Sequence, residues 1–296
     1  MSQNFGLREL YRPADQEPEI DIVAVHGLNG DAYRTWTYTN PLTDNGNICW
    51  LSDQDFLPKY IGQARVLTWG YNANLTTLSG PTSSNRILHH AQTLVQHLFA
   101  NRSALSHAAD QMGPTTSHLR SIFTCTYGVF FFGTPHLGSE KAQLLHHLQK
   151  LVSVSIPRSI FRTETRLVKA LKAGSEILEE INTQFLAIAG ELKLVFLWEE
   201  HRTKVKGFGN VYIVEQSSAA PLLRDVLSFG IASDHQGMCR FASNQDAGFI
   251  TVISELQRYA QDATGRIERR QVQDRELLQL KRNGEVAELV RVINLL

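Results

Sequence analysis

Cysteine is scarce in this chain and neither charge is in excess. Three cysteines, Cys49, Cys125 and Cys239, occur in 296 residues. Far apart and odd in number, they make neither a disulfide framework nor a zinc-ligand set, so a reducing compartment is expected. The 29 basic residues are balanced by 29 acidic ones. That balance argues against nucleic-acid binding by phosphate neutralisation and against a polybasic membrane-surface module. No stretch reaches the ~18 apolar residues of a spanning helix. The opening Met1-Ser2-Gln3-Asn4-Phe5-Gly6 lacks a basic and then apolar signal region. The expectation is a soluble, intracellular, cytoplasmic protein with no transmembrane segment. What is present suits a globular chain: 43% hydrophobic and 9% aromatic residues can build a sizeable core and exclude a mainly disordered or fibrous one.

Residues 1–19 are polar, carry Pro13 and Pro18, and read as an irregular lead-in. Short apolar, β-branched runs follow at Ile20–Val25, Ala64–Tyr71, Tyr127–Phe132, Leu192–Trp198 and Val211–Val214. Runs of that length closed by glycine read as buried parallel strands. Between them lie helical patterns: one after Ser84-Asn85, with Ile87, Leu88, Ala91, Leu94, Val95 and Leu98 in helical spacing, and others over roughly 140–190 and Ala247–Ala260. The alternation predicts an α/β domain over 20–263, a mostly parallel sheet with helices on both faces. Residues 264–296 are charged, with leucine and valine at three- and four-residue spacing, and predict an amphipathic helical tail leading away from the domain.

Ligands and catalytic groups of such sheets gather beyond the carboxyl ends of the strands. There the chain offers His26-Gly27-Leu28-Asn29-Gly30, then Gly133-Thr134-Pro135-His136-Leu137-Gly138-Ser139, then Glu199-Glu200, and later Asp234-His235. A His-Gly loop can present backbone N–H groups to a developing oxyanion. A carboxylate after a late strand and a histidine later still match the orienting acid and the base of a triad, in the order expected of α/β-hydrolases. The bland readings differ: Asp234-His235 as a solvated loop, Glu199-Glu200 as an acidic strand end.

Ile22-Val23-Ala24-Val25-His26-Gly27-Leu28-Asn29-Gly30, with Trp36 downstream, resembles the opening strand of a lipase-like serine-esterase family of α/β-hydrolases. That family is abundant in fungi, alone and as N-terminal domains of NACHT-type and repeat-containing receptor proteins. Ala64–Tyr71, the turn Gly133-Thr134-Pro135-His136 with Gly138-Ser139, and the loop Asp234-His235-Gln236-Gly237-Met238-Cys239 are similar to its further motifs, over about Asp21 to Ala260. The resemblance implies an α/β-hydrolase-like fold acting on an acyl ester or lipid without a cofactor or metal. It implies His235 as base, Glu199 as its acid with Glu200 and Asp234 as alternatives, and the Gly27 and Leu28 amides as oxyanion donors. Peripheral association with the endoplasmic reticulum or mitochondria is a further implication.

The nucleophile is absent. The Gly-x-Ser-x-Gly elbow needs two glycines four positions apart, and no two of the twenty glycines are so placed. Its expected place, after the helix ending near Arg102, reads Ser103-Ala104-Leu105-Ser106-His107 with no apolar strand before it. Ser103-Ala104-Leu105 resembles the end of the family's post-elbow helix, which points to an internal deletion at Arg102/Ser103. A sheet without that central strand must pair Ile20–Val25 with Tyr127–Phe132 or leave two new edges. Ser79, Ser83 and Ser84 fit helix capping, and Ser139 is the remaining substitute nucleophile, with no base placed beside it. His89-His90 and His146-His147 read as surface residues, and His136 as a fixer of its turn. The expectation is a hydrolase domain catalytically impaired in this form. The alternative is a non-catalytic interaction module, a detached receptor domain with protein partners on its C-terminal helix.

Overall fold

The structure, a computed structural model, describes residues 5–40, 42, 46–73, 83–105, 117–136, 146–147, 149–150, 181, 183–205, 208–220 and 226–293. Two three-stranded sheets form its centre. In the first, β1 (Gly6–Tyr11) pairs antiparallel with β5 (Ala64–Gly70), which pairs in parallel with β2 (Ile20–Val25). In the second, β6 (Gly128–Phe132) and β10 (Leu227–Ile231) flank β7 (Lys193–Glu199), all parallel. Two small ribbons, β3 (Thr37–Tyr38) with β4 (Ile48–Cys49) and β8 (Thr203–Val205) with β9 (Gly209–Val211), complete the strands. The described helices include α1 (Leu57–Tyr60), α2 (Ser83–Leu105), α3 (Ser117–Cys125), α4 (Gln216–Ala219) and α5 (Ala247–Ile293).

The central strands are where the sequence is most continuously apolar. Every residue of β5 is buried, and so is most of β7, as strands covered on both faces require. Alternate residues of both sheets, among them Ala24, Val66, Val195, Leu197 and Ile231, enter one cluster with Trp36, Trp50 and Phe249. That cluster lies under the first half of α5, through Phe249, Val252, Ile253 and Tyr259. On the other face of the first sheet, Trp69 packs edge-on to His97 of α2, and buried Arg65 reaches Asn101. The two half-sheets therefore share a core, but β2 and β6 do not pair. Among the described residues each pairs with a strand on one side only, and no strand lies between them.

Four of the five expected strands are present, and the remaining strands differ from the sequence reading. The lead-in contains β1, whose charged residues Arg8 and Glu9 suit an edge strand. The run Val211–Val214 is not a strand beyond Val211; it is a loop, and its Ile213 and Val214 are apolar because they are buried against Trp198. The strand beside β7 is instead Leu227–Ile231, whose Ser228 and Gly230 interrupt the apolar run.

Helix α2 runs through Arg102 and Ser103 to Leu105 without a break. The expected C-terminal tail is not a separate element, since α5 is a single 47-residue helix, about 70 Å long. Its middle docks on the domain. Arg270 donates to the carbonyls of Thr124 and Thr126 at the open C-terminal end of α3 and to that of Glu191 in the turn before β7, and Arg120 pairs with Asp274. Leu277, Leu278 and Leu280, beyond that clamp, are exposed. Most of the helical region expected over 140–190 lies outside the described residues, as do Ser79 and Ser139.

Candidate active site

Glu199 is the last residue of β7, and its side chain is fully buried. Its Oε1 accepts the backbone N–H groups of Ile213 and Val214, the latter at 3.1 Å. A carboxylate held by two amides keeps its orientation and its charge is compensated locally. Its other oxygen, Oε2, lies 3.0 Å from Nδ1 of His235, and neither atom has another partner. The approach is outside in-line hydrogen-bond geometry, so the contact is an ion-pair distance rather than a formed hydrogen bond.

The loop carrying His235 is tied down along its length. The His235 amide donates to Thr203 Oγ1 at 3.2 Å, and the Gly237 amide to Asp234 Oδ1 at 2.8 Å. The Trp50 indole N–H reaches the Cys239 carbonyl at 3.0 Å, fastening the loop's far end to the core. Gly133 extends the β6–β7 ladder through its amide to the Leu197 carbonyl at 2.8 Å. It takes a positive φ of 54°, and a Cβ there would meet His235 Cε1 and Met238 Sδ at 2.9 Å. Glycine at this position therefore leaves room for the imidazole.

Among the three carboxylates left open by the sequence, Glu199 is the one facing the ring. Asp234 caps its own turn, and the Glu200 side chain lies over Gly230 instead.

At the carboxyl end of β2, His26 is 3% exposed and stacks on Tyr71, with ring centroids 4.5 Å apart. The Tyr71 amide donates to His26 Nε2 at 3.3 Å, which leaves Nδ1 to carry the proton and donate to the Gly27 carbonyl at 3.0 Å. The Tyr71 hydroxyl closes the bracket by donating to the His26 carbonyl at 3.0 Å. Burial lowers the His26 pKa and raises that of Tyr71 to about 12, so both stay neutral. His26 thus shapes the Gly27–Gly30 turn, in which the Gly30 amide meets the Gly27 carbonyl at 3.0 Å. The space beside the Gly27 Cα is open to 4 Å, and Leu28 follows directly in the same turn.

His147 is a correction to the surface reading of the histidine pairs: it is 3% exposed, and burial lowers its pKa. His146 and His89 are exposed. His136 is buried with its ring edge-on to Phe131 and Phe196, and its amide donates to the Ser218 carbonyl at 2.7 Å. Among the described residues, no three His, Cys, Asp or Glu side chains gather as a metal-ligand set. Sequence reasoning missed the Ile213–Val214 clamp and the Tyr71 bracket. Both act largely through backbone groups, which leave no residue signature.

The chain is similar to Protein SERAC1 of Danio rerio, 23% identical over 256 residues that cover 76% of this chain and 37% of that protein. It is also similar to Protein SERAC1 of Homo sapiens, 21% identical over 264 residues covering 80% of this chain and 38% of that one. It thus spans well under half the length of these relatives. No family model and no solved structure matches it.

Proposed function

We propose that this chain is an α/β-hydrolase domain of serine-esterase type that keeps its acid, its base and its oxyanion loop but has no nucleophile, and so is catalytically impaired in this form. The observation that carries the reading is the Glu199–His235 pair: a buried carboxylate, held by two amides on one oxygen, set 3.0 Å from the imidazole with the other. In a complete enzyme of this type, His235 takes the proton of an attacking hydroxyl, and Glu199 holds the ring and stabilises the imidazolium. The Gly27 and Leu28 amides receive the oxyanion of an acyl ester or lipid. Without a hydroxyl to activate, base and acid are idle, and the residual acceleration of such a site falls far below that of a whole one. Among the described residues no helix is long and apolar enough to cross a membrane, and peripheral attachment to endoplasmic-reticulum or mitochondrial membranes belongs to the same reading.

The test is turnover of p-nitrophenyl butyrate and p-nitrophenyl octanoate by the purified chain beside its His235→Ala variant. Equal rates are expected. Turnover that disappears in the variant would show a nucleophile at work. The second reading, an interaction module, is favoured by the exposed Leu277, Leu278 and Leu280 of α5 and by the edges of β2 and β6, on which no second strand lies among the described residues.

A further inference from the structure

Strands β2 and β5 are parallel partners, so the segments that follow them, Gly27–Gly30 and Tyr71–Ala73, leave the sheet side by side. Three hydrogen bonds join the two segments. The Tyr71 hydroxyl donates to the His26 carbonyl at 3.0 Å, the Asn29 amide to the Ala73 carbonyl at 3.1 Å, and the Tyr71 amide to His26 Nε2 at 3.3 Å. The first two keep their donors at neutral and acid pH, because burial holds the Tyr71 phenol protonated. The third exists only while His26 Nε2 carries no proton.

The turn held by these bonds has little slack. Asn29 takes a positive φ of 53°, a left-handed conformation that costs an ordinary side chain energy. A Cβ on Gly30 would lie 2.9 Å from the Gly27 carbonyl and 3.0 Å from the His26 Cβ. The Gly27 carbonyl itself accepts from His26 Nδ1 and from the Gly30 amide, each at 3.0 Å. The imidazole therefore bridges the turn through one nitrogen and the end of β5 through the other.

We propose that His26 is a proton-operated latch on this turn: neutral, it positions Gly27–Gly30 against Tyr71, and protonated, it lets go of the Tyr71 amide and loosens the turn. A proton on Nε2 turns an acceptor into a donor and sets it against the Tyr71 N–H, so one link is lost and two donors are opposed. Little around the ring holds the charge. The Tyr71 ring stacked on it is neutral, and His90 of α2 lies behind that ring at 5.4 Å. Asp31 attracts the imidazolium, but its Oδ1 already accepts the Tyr33 and Arg34 amides and the Arg34 charge lies beside it. Burial outweighs that attraction and lowers the His26 pKa, so the latch is closed at neutral pH and opens in acid, below the ordinary histidine value of about 6.5. That the turn carries the oxyanion amides of Gly27 and Leu28 rests on the proposed function; the latch itself rests on the hydrogen bonds.

The test is NMR of the full chain with nitrogen-labelled histidine, read together with amide exchange between pH 7.5 and 4.5. At pH 7.5 His26 should show the Nδ1–H tautomer. As its ring titrates, protection of the Tyr71 and Asn29 amides, corrected for intrinsic exchange, should fall about tenfold, the equivalent of one lost hydrogen bond. The Val23 and Leu67 amides within the strands should keep their protection. In His26→Asn the acid step should vanish, whereas Tyr71→Phe should loosen the turn at every pH and keep the step. Four results would overturn the proposal: an Nε2–H tautomer at pH 7.5, a ring or a turn that does not respond down to pH 4.5, an equal loss at Val23 and Leu67, or the same step in His26→Asn. The first three are read on the parent chain, so they decide the matter even where a variant fails to fold. None of them reads ester turnover, so the latch and the hydrolase reading fail separately.

Discussion

Removing the Glu199 carboxylate tests the clamp that organises the site. In Glu199→Ala, the Ile213 and Val214 amides lose the carboxylate acceptor they share, in a region where both residues are at most 1% exposed. Hydrogen bonds to charged groups are worth about 1.5–3 kcal/mol each, and the buried donors left behind carry their desolvation cost. His235 is 18% exposed on its side chain and is rehydrated more easily, so the loss of its contact with the carboxylate adds little. Allowing for relaxation of the loop, the loss is about 4 kcal/mol, a large share of a typical domain stability of roughly 5–15 kcal/mol. Glu199→Gln keeps the Oε1 acceptor for both amides and should cost about 1–2 kcal/mol. Urea unfolding followed by tryptophan fluorescence reads the difference, since Trp36 and Trp50 are buried in the shared core. The Glu199→Ala midpoint should fall by about 1–2 M urea with the slope unchanged. Exchange at the Ile213 and Val214 amides should accelerate in Glu199→Ala and stay slow in Glu199→Gln. A Glu199→Ala midpoint within about 0.2 M of the parent would refute the clamp as described.

Other substitutions follow from the same geometry. Gly133→Ala puts a Cβ 2.9 Å from both the His235 ring and Met238, at a positive φ; it should cost about 2–3 kcal/mol and shift the His235 ring resonances in NMR spectra. Arg65, 2% exposed, holds Asp21 through two 2.8 Å hydrogen bonds. Arg65→Met alone should cost about 3–5 kcal/mol, and Arg65→Met with Asp21→Leu should recover most of that, as a double-mutant unfolding cycle would show. His26 and His147 have pKa values lowered by burial, so the unfolded chain binds more protons than the folded one as the medium acidifies. Stability is full above the unfolded value of about 6.5 and falls as pH drops below it toward the folded values. Melting temperatures measured between pH 7.5 and 5 should fall, and less steeply in His26→Asn; a flat profile would contradict buried neutral imidazoles.

The strands read correctly were those whose environment writes itself into composition. Strands β5 and β7 are covered on both faces and are rich in valine, leucine and aromatic residues, and β2 and β6 share enough of that cover to show it. The failures lie where apolarity and strand geometry part company. Ile213 and Val214 are apolar for burial in a loop, while Leu227–Ile231 is a strand whose first two residues face solvent. An edge strand such as Gly6–Tyr11 needs no hydrophobic run, because its order comes from pairing with β5. At the site, the order of Glu199 and His235 along the chain and the place of Glu199 at the end of its strand were legible, but the strand before His235 was not. The resemblance implied Glu199 as the acid, while the residue pattern alone did not choose among Glu199, Glu200 and Asp234, because that choice depends on where each side chain turns after its strand. His147 shows the same limit: which face of a helix is buried is set by packing that a histidine pair does not encode.

On the proposed function, the site has His235 as base and Glu199 as acid but no nucleophile. The most direct measurement is the intact mass of the purified chain after incubation with a fluorophosphonate probe, which labels a serine only when a base activates it. An unmodified mass is expected for the parent and for His235→Ala alike. A single adduct in the parent, lost in His235→Ala and mapped to one serine such as Ser139, would contradict it.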